Sequence, residues 1–496
     1  MATAATVRTL ENYVGGGWQP SGAGERLDVS NPATGEILAR VPLSSAGELD
    51  RAVRAARDAL PAWRAVSIIE RARRLFSFRE LLVARREELA RSVTREMGKT
   101  LADARAEVDR AIEMVECACA VPSTMQGRIL EDVATNIDCE TVRQPVGVCA
   151  AIVPFNFPAM VPMWFLPFAV ACGNTFILKP SEQVPLTAQL VFEALDELEL
   201  PPGVVNLVNG GRELVEALLD HPGVDAVSFV GSAPVARLVY ERAARTGKRV
   251  QALGGAKNHI VVLGDAVMGK AIEGILASAF GAAGQRCMAG SIVVAVGEAY
   301  ERLVPGLVEA ASRLRVGDGA DPQTDVGPVV SSAARERIES FIERALADRA
   351  QALLDGRSAR EGNYVGPTIL ELDADSAIAR EEVFGPVLGI VRARTLEEAI
   401  ALVNSSRYGN GSSIFTESGA AARRYRHDVE AGMIGVNVGV AAPVAFFPFS
   451  GWKDSFLGDL HAHGGDAIDF FTRKKTITSR YFSGGETTGR YFVESP

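Results

Sequence analysis

The sequence lacks the features of a nucleic-acid-binding protein and those of a disordered one. Its 496 residues carry a formal net charge of -9 and contain no block rich in Lys and Arg, whereas a polyanionic partner favours an excess of positive charge. Apolar residues make up 47% of the chain and charged residues 23%, a balance typical of folded globular proteins. These absences favour an enzyme that acts on a small metabolite, and the length favours two or three lobes.

Paired cysteines and histidine clusters are also missing. None of the six cysteines belongs to a Cys-x-x-Cys pair, so we expect reduced thiols and no disulfide framework. His461 and His463 have no further ligands in register, and we expect no metal site. The N-terminus has no basic start followed by an apolar core, which predicts a cytoplasmic protein without a secretory signal.

One uncharged stretch, 144–178, is long enough to be mistaken for a membrane span. Prolines and asparagines interrupt it, and a helix in contact with lipid does not tolerate such interruptions well. We therefore expect a strand, a loop and a buried helix in this stretch.

Helix-capping signals mark the N-terminal region. Ser45, Ser67 and Thr100 each open a stretch of helical periodicity, which predicts three helices between residues 45 and 118. Residues 127–142 then alternate in the manner of a strand or hairpin, and the tail from residue 470 on resembles a strand at a sheet edge.

Apolar runs alternate with amphipathic segments from residue 146 on. The alternation predicts an α/β fold whose parallel sheet binds nucleotides at the carboxyl ends of its strands. We expect a second α/β lobe after it. The runs are 146–153, 175–178, 204–208, 226–230 and 249–253 in the first lobe and 259–263, 291–296, 412–415 and 433–438 in the second.

Cys287 stands in a segment that can present a reactive thiol. It follows Gly281 and Gly284 and precedes the β-branched run 291–296, so we expect it on a loop between a helix and a strand. The neighbouring Arg286 guanidinium favours the thiolate, which is the nucleophilic form. An isolated cysteine is more often a small core residue, and this segment alone leaves both interpretations open.

Polar residues follow two strands of the first lobe. Lys179 and Glu182 come after the run 175–178 and can hydrogen-bond a ribose, although a surface ion pair is the competing interpretation. Ser232 follows the run 226–230 and opens a helix, so its hydroxyl either faces a phosphate or only caps that helix. The Gly-x-Gly-x-x-Gly fingerprint is absent here.

Two further sites and one loop also have competing interpretations. Asn156 lies among prolines and phenylalanines, where a buried amide either stabilises an oxyanion or forms a structural turn. Glu382 and Phe384 precede a tight turn, and core packing is the alternative for the ring. The apolar loop 443–449 contains three phenylalanines, which either line a pocket or only pack.

Several strings, in this order, resemble those of the aldehyde dehydrogenase superfamily over nearly the whole chain. They include Gly-Ala-Lys-Asn-His at 255–259 and Gly-Gln-Arg-Cys at 284–287. The closest resemblance is to the CoA-acylating methylmalonate-semialdehyde dehydrogenases, a group that also takes malonate semialdehyde. The other strings lie at 145–149, 154–160, 172–176, 179–182 and 475–479.

The resemblance implies a fold, an assembly and a reaction. It implies a Rossmann-type NAD-binding domain (1–125 and 146–252), an α/β catalytic domain (253–455) and a small β oligomerisation element (126–145 and 470–496) in a homotetramer. The implied reaction is the NAD-dependent, CoA-acylating oxidative decarboxylation of methylmalonate or malonate semialdehyde. Its products are propionyl-CoA or acetyl-CoA, CO2 and NADH, and the resemblance associates the chain with valine and inositol catabolism.

The resemblance also implies roles for individual residues. Cys287 attacks the aldehyde and carries a thioester, while Asn156 and the Cys287 amide hold the oxyanion. Arg110 and Arg286 bind the substrate carboxylate. Residues implied to bind or pack against NAD are Phe155, Lys179, Glu182, Gln183, Ser232, Gly254, Glu382 and Phe384.

One departure from the family pattern bears on the fate of the thioester. Hydrolytic relatives have a glutamate before Leu-Gly-Gly that activates water, and this sequence has Ala252 there. A methyl group is no general base, so we expect CoA to take the acyl group. A hydrolytic semialdehyde dehydrogenase, a cofactor-independent thiol hydrolase or transferase, and a non-catalytic binding protein are the alternatives.

Overall fold

Two large sheets flanked by helices form the body of the molecule. The computed structural model describes residues 7–357 and 361–482, and it confirms the predicted α/β class. The helices are Ala46–Ala65, Ile68–Ala84, Arg86–Met97, Leu101–Cys119, Val121–Thr124, Met160–Met163, Leu166–Ala171, Leu186–Asp196, Arg212–Asp220, Ala233–Arg245, Met268–Phe280, Ala299–Ser312, Ser332–Ala347, Ala377–Arg380, Leu396–Ser405, Gly419–Asp428 and Gly464–Phe470, with a 3-10 turn at Gly281–Gly284.

The first sheet has eight strands, five of them parallel at its centre. Buried on both faces, these central strands are nearly continuous apolar runs, as expected for parallel strands covered by helices. The edges add antiparallel strands. In spatial order the strands are Gly17–Gln19, Asn12–Val14, Val205–Leu207, Thr175–Lys179, Val148–Ile152, Ala226–Val230, Arg249–Leu253 and Phe456–Leu457.

The second sheet has seven strands, and one of them, Gly290–Val296, follows Cys287 in the sequence. All pairs of adjacent strands in this sheet are parallel except the first pair. In spatial order the strands are Gln351–Leu354, Thr368–Glu371, Val387–Ala393, Gly290–Val296, Asn258–Val262, Gly411–Phe415 and Met433–Val436.

A three-stranded antiparallel sheet joins two segments that are distant in the sequence. The hairpin Arg128–Ala134 and Ile137–Pro145 pairs through its second strand with Thr472–Arg480. These strands coincide with the predicted oligomerisation element, of which 483–496 lie outside the described residues. Short two-stranded pairs are formed by Arg26–Ser30 with Ile37–Pro42 and by Tyr408–Gly409 with Trp452–Lys453.

The sequence-based expectations missed several elements. Arg86–Met97 is a separate helix between the second and third predicted ones, because the backbone bends at Arg85 (φ -96°, ψ 9°). Gln351–Leu354, Thr368–Glu371 and Val387–Ala393 were also missed. Two of these strands have only four residues, too few for a period to emerge, and Gly389 interrupts the third where neighbouring side chains approach closely.

The uncharged stretch 144–178 is divided as predicted. It contains two strands of the first sheet and the helices Met160–Met163 and Leu166–Ala171. Within the described part of the chain, no helix combines the length and the apolar character needed to cross a membrane.

The predicted domain boundaries stay a prediction. Phe456–Leu457, just past the boundary at 455, pairs with the first sheet.

Candidate active site

Cys287 lies on a loop between a helix and a strand, as predicted. The loop follows the 3-10 turn Gly281–Gly284 and precedes the strand Gly290–Val296. Ala282 and Ala283 adopt left-handed conformations (φ 49° and 51°), which cost roughly 1–3 kcal/mol each and are concentrated at functional sites. The surrounding contacts therefore hold this loop in a backbone conformation that it would not adopt alone.

Two asparagines anchor the Cys287 backbone. The Nδ2 atoms of Asn258 and Asn410 donate to the Cys287 carbonyl oxygen at 2.8 and 2.9 Å. Asn258 was quoted in a family string without a role, and no sequence signal marked Asn410. Asn258 begins the strand Asn258–Val262 and Asn410 directly precedes the strand Gly411–Phe415. Both are distant from the loop in the sequence, so only the tertiary structure reveals this anchor.

The pKa of the Cys287 thiol is raised. Burial raises its pKa to about 12, and the Glu382 carboxylate contributes in the same direction. Arg286 lowers the pKa as predicted, but less than these two raise it. The Arg286 guanidinium itself donates to the carbonyls of Gly281 (3.0 Å) and Ala277 (2.9 Å). Its effect on the pKa of Cys287 has the predicted direction, but burial makes the net shift upward.

Asn156 faces the Cys287 loop from the first lobe. It follows the strand Val148–Ile152, its exposed fraction is 4%, and its Nδ2 donates to the Gln285 carbonyl oxygen at 3.1 Å. Gln285 is two residues before Cys287, and its own side chain accepts from the Val330 amide. The structure thus brings the predicted amide and the predicted nucleophile to one place.

Both predicted carboxylate partners border the same cavity as Cys287. The cavity has a volume of about 280 Å³ and is bordered by Arg110 and Arg286. Arg110 is 41% exposed and contacts Glu113 at 2.5 Å. The lining also includes the polar or charged Lys99, Asp103, Glu107 and His463 and the aromatic or apolar Met114, Phe157, Met160, Trp164 and Phe449.

The phenylalanines of the loop 443–449 divide between the two interpretations. Phe449 lines the cavity and packs on Trp164 with ring centroids 4.6 Å apart. Phe446 and Phe447 are exposed by 64% and 65%, so neither lines a pocket in this structure.

The predicted cofactor residues of the first lobe share one edge of the first sheet. Lys179, Ser232 and Gly254 stand at or just after the carboxyl ends of three parallel strands of this sheet. The Ser232 side chain is exposed and does not cap the helix that it opens. Gly254 leaves no room for a side chain, since a Cβ there would approach the Asp454 carbonyl oxygen to 2.7 Å.

Lys179 and Glu182 form the predicted pair. Lys179 Nζ and Glu182 Oε2 are 2.8 Å apart. Burial raises the pKa of Glu182, but the Lys179 ammonium more than offsets it, so that the net pKa lies below the usual range. This ion pair at the end of a buried strand is therefore more than a solvated surface contact. The neighbouring Gln183 is exposed.

Glu382 and Phe384 meet Cys287 in a smaller recess. The Phe384 ring packs edge-on against Phe155 at a centroid distance of 5.8 Å. Burial raises the pKa of Glu382 to about 7, although its carboxylate accepts from the Ala256 amide at 3.0 Å. Burial also lowers the pKa of the neighbouring Lys257 to about 8, and no role for this lysine was predicted from the sequence.

Ala252 is fully buried in the strand Arg249–Leu253. Its side chain belongs to the core cluster of Val227 and Phe229, on the first sheet. Leu253 belongs instead to the large cluster against which Cys287 packs. Consecutive residues of a strand point to opposite faces, so the side chains of Ala252 and Leu253 lie on opposite faces of the first sheet. Neither position carries a carboxylate, and the predicted absence of a base on this strand remains.

Comparison with known proteins indicates the same family as the strings of residues in the sequence. Residues 18–477 match the family model described as the aldehyde dehydrogenase family. Malonate-semialdehyde dehydrogenase 1 of Geobacillus kaustophilus (strain HTA426) is 50% identical over 477 residues, which cover 95% of this chain and 98% of that protein. The malonate-semialdehyde dehydrogenase of Halalkalibacterium halodurans is 48% identical over 485 residues, covering 97% and 100%.

Solved structures show the same relationship. The methylmalonate-semialdehyde dehydrogenase of Oceanimonas doudoroffii has a TM-score of 0.95 at 42% identity, with 97% of this chain and 99% of the other covered. A candidate methylmalonate-semialdehyde dehydrogenase of Sinorhizobium meliloti 1021, complexed with NAD, gives the same values. The predicted resemblance is confirmed, and this chain belongs to the aldehyde dehydrogenase family.

Proposed function

We propose that this chain oxidises malonate or methylmalonate semialdehyde with NAD and transfers the acyl group to CoA with loss of CO2. The observation that carries the proposal is the single cavity bordered by Cys287, Arg110 and Arg286. It combines a nucleophile with two guanidinium groups, which suit a small aldehyde bearing a carboxylate. Relatives near 50% identity are malonate-semialdehyde dehydrogenases by name, which supports the substrate class.

The residues at the edge of the first sheet fit NAD. The Lys179 and Glu182 pair can hydrogen-bond a ribose, and Ser232 stands at a helix N-terminus that favours phosphate. NAD would supply one function, the acceptance of hydride from the oxidised carbon. Phe155 and Phe384 would pack against it beside Cys287.

The protein supplies the nucleophile and the oxyanion donors. Because burial raises the pKa of Cys287, its thiol proton must pass to a base as the sulfur adds to the aldehyde carbon. Glu382, which lines the same recess and whose pKa burial raises to about 7, would accept it. The Asn156 amide and the Cys287 backbone N–H would donate to the carbonyl oxygen that becomes negative, a contribution of about 10²–10³ in rate for one such donor. Arg110 and Arg286 would orient the carboxylate meanwhile.

The acyl thioester on Cys287 then needs a second nucleophile. Neither Ala252 nor Leu253 can activate water, whereas the ionised CoA thiol exchanges with a thioester without a base. The carboxylate beta to the thioester carbonyl leaves as CO2, because that carbonyl accepts the electron pair. This arrangement disfavours the hydrolytic alternative, which would release a free acid.

NADH formation from malonate semialdehyde, with and without CoA, tests the proposal. Sustained turnover only with CoA is expected, together with a single burst of NADH without it. Cys287→Ser, which removes the nucleophile, is the control and should give neither. Equal steady turnover without CoA would contradict the acylating reaction.

The three-stranded sheet supports a proposal about assembly. Ile129 and Leu130 are each 65% exposed on the outer strand of the hairpin, and such apolar surface favours association. We infer that this surface joins copies of the chain into a homotetramer. Light scattering should give the tetramer mass, and Ile129→Asp combined with Leu130→Asp should give a smaller species. A monomeric wild-type protein would refute the assembly.

A further inference from the structure

A buried ion pair lies beneath the segment that contains Asn156. Lys99 Nζ and Glu107 Oε2 are 2.7 Å apart, with side-chain exposed fractions of 1% and 0%. Removing two charges from water is costly, and a buried pair persists only where the remaining donors and acceptors are also satisfied. The partners that satisfy this pair therefore indicate what it holds in place.

All the remaining hydrogen bonds of the pair go to one short segment. Lys99 Nζ donates to the Asn156 carbonyl oxygen at 2.7 Å, and Glu107 Oε1 accepts from the amides of Ala159 and Met160 at 2.8 and 3.1 Å. The same ammonium lies 3.9 Å from the Phe157 ring centroid. The pair thus holds both ends of the segment 156–160.

Lys99 itself has a fixed backbone. It lies between the helix Arg86–Met97, which ends at Gly98 in a left-handed conformation, and the helix that Thr100 caps. A Cβ on Gly319 would come within 2.3 Å of the Lys99 carbonyl oxygen, so the backbones of these two residues are closely packed. The ammonium is consequently a rigid attachment point for the segment.

The other side of Asn156 reaches the Cys287 loop. While Lys99 holds the Asn156 carbonyl, the Asn156 side chain donates to the Gln285 carbonyl oxygen at 3.1 Å. Rotation or displacement of the segment would move that amide away from Cys287. Displacements of about 1 Å in catalytic geometry can cost on the order of 10²-fold in rate.

We propose that Lys99 and Glu107 are positioning residues that fix the Asn156 amide beside Cys287 for oxyanion stabilisation. Both side chains border the cavity, but their burial leaves almost no surface for the substrate. They act through Asn156 and not by contact with the aldehyde. This inference rests on the proposed function, because it assigns a role within the same acylation step.

The double variant Lys99→Met with Glu107→Gln tests the inference without leaving one buried charge unpaired. It removes the bond to the Asn156 carbonyl, while the glutamine oxygen can still accept from the Ala159 amide. The rate of the NADH burst without CoA should fall about 10-fold to 100-fold. NAD affinity and the rate of Cys287 alkylation by iodoacetamide should change less than about threefold, since neither requires an oxyanion donor.

Combination with Asn156→Ala separates positioning from general stability. If the pair acts through Asn156, the double substitution should reduce the burst rate of the Asn156→Ala protein by less than about twofold more. The control, Lys270→Met with Glu273→Gln, makes the same replacements in an exposed pair (75% and 70%) and should leave the burst rate unchanged.

Two outcomes overturn different claims. If the losses from the pair and from Asn156→Ala multiply, or if alkylation and NAD binding decline in parallel with the burst, the positioning role is refuted. If the wild-type protein gives no NADH burst with malonate semialdehyde although it binds NAD, the proposed function fails instead.

Discussion

Arg110 offers the sharpest test of how the cavity selects a substrate with a carboxylate. Its guanidinium borders the cavity that contains Cys287, yet it is 41% exposed and already contacts Glu113. Arg110→Met retains an apolar chain of similar length and removes the charge. Glu113 keeps its hydrogen bond from the Ala445 amide at 3.0 Å, so the local backbone should be preserved.

The magnitude follows from the environment of the guanidinium. Hydrogen bonds to a charged group contribute about 1.5–3 kcal/mol, and the exposure of Arg110 and its bond to Glu113 favour the lower end. At 1.36 kcal/mol for each factor of ten, kcat/KM for malonate semialdehyde should fall about 10-fold to 30-fold. Propanal has the same carbon skeleton without the carboxylate, and its kcat/KM should change less than about threefold.

The assay is NADH formation with both aldehydes at saturating CoA and NAD. Arg105→Met is the matched control, because Arg105 is on the same helix, is 42% exposed and pairs with Glu87 away from the cavity. The ratio of the two specificity constants should change for Arg110→Met and not for the control. Equal losses with both aldehydes, or no loss with either, would refute carboxylate recognition by this residue.

Three further predictions concern ionisation and the missing base. Because burial raises the pKa of Cys287 to about 12, its alkylation by iodoacetamide in the protein alone should accelerate about tenfold per pH unit from about pH 7 to 10; a plateau below about pH 9 would contradict this. Ala252→Glu, which places a carboxylate in an apolar cluster, should lower the unfolding free energy by at least about 3 kcal/mol; an unchanged urea midpoint at pH 7 would contradict that cost. Burial raises the pKa of Glu96 to about 7, above its unfolded value, so its contribution to the unfolding free energy is full below about pH 4.5 and is lost as pH rises to about 7. Urea titrations at pH 5 and 8 should show a smaller pH difference for Glu96→Gln than for the wild-type protein, and equal differences would count against that pKa.

The predictable part of the fold came from strong periodicity and from capping residues. The strand Val148–Ile152 and its parallel neighbours were predictable because buried strands are continuous apolar runs. Thr100 marked its helix because its side chain accepts from the Asp103 amide. The strand Gln351–Leu354 was missed because it lies at the exposed edge of its sheet and is only four residues long.

The predictable part of the site came from its strings of residues and not from their geometry. Cys287 was placed correctly on a loop, but its raised pKa depends on the burial and on Glu382, which is 95 positions away in the sequence. Ala252 was identified from its string alone, and only the structure shows that its side chain belongs to the core cluster of Val227 and Phe229.

By itself, the sequence determined the α/β class, the family, the candidate nucleophile and the lack of a carboxylate before the glycines at 254 and 255, because these depend on residue type and local order. Only the tertiary structure decided which polar groups meet. It brought Asn258 and Asn410 to the Cys287 carbonyl, and it placed Lys99 against Asn156. The physical reason is that hydrogen bonds and burial depend on distances between segments that are remote along the chain, and no local pattern encodes those distances.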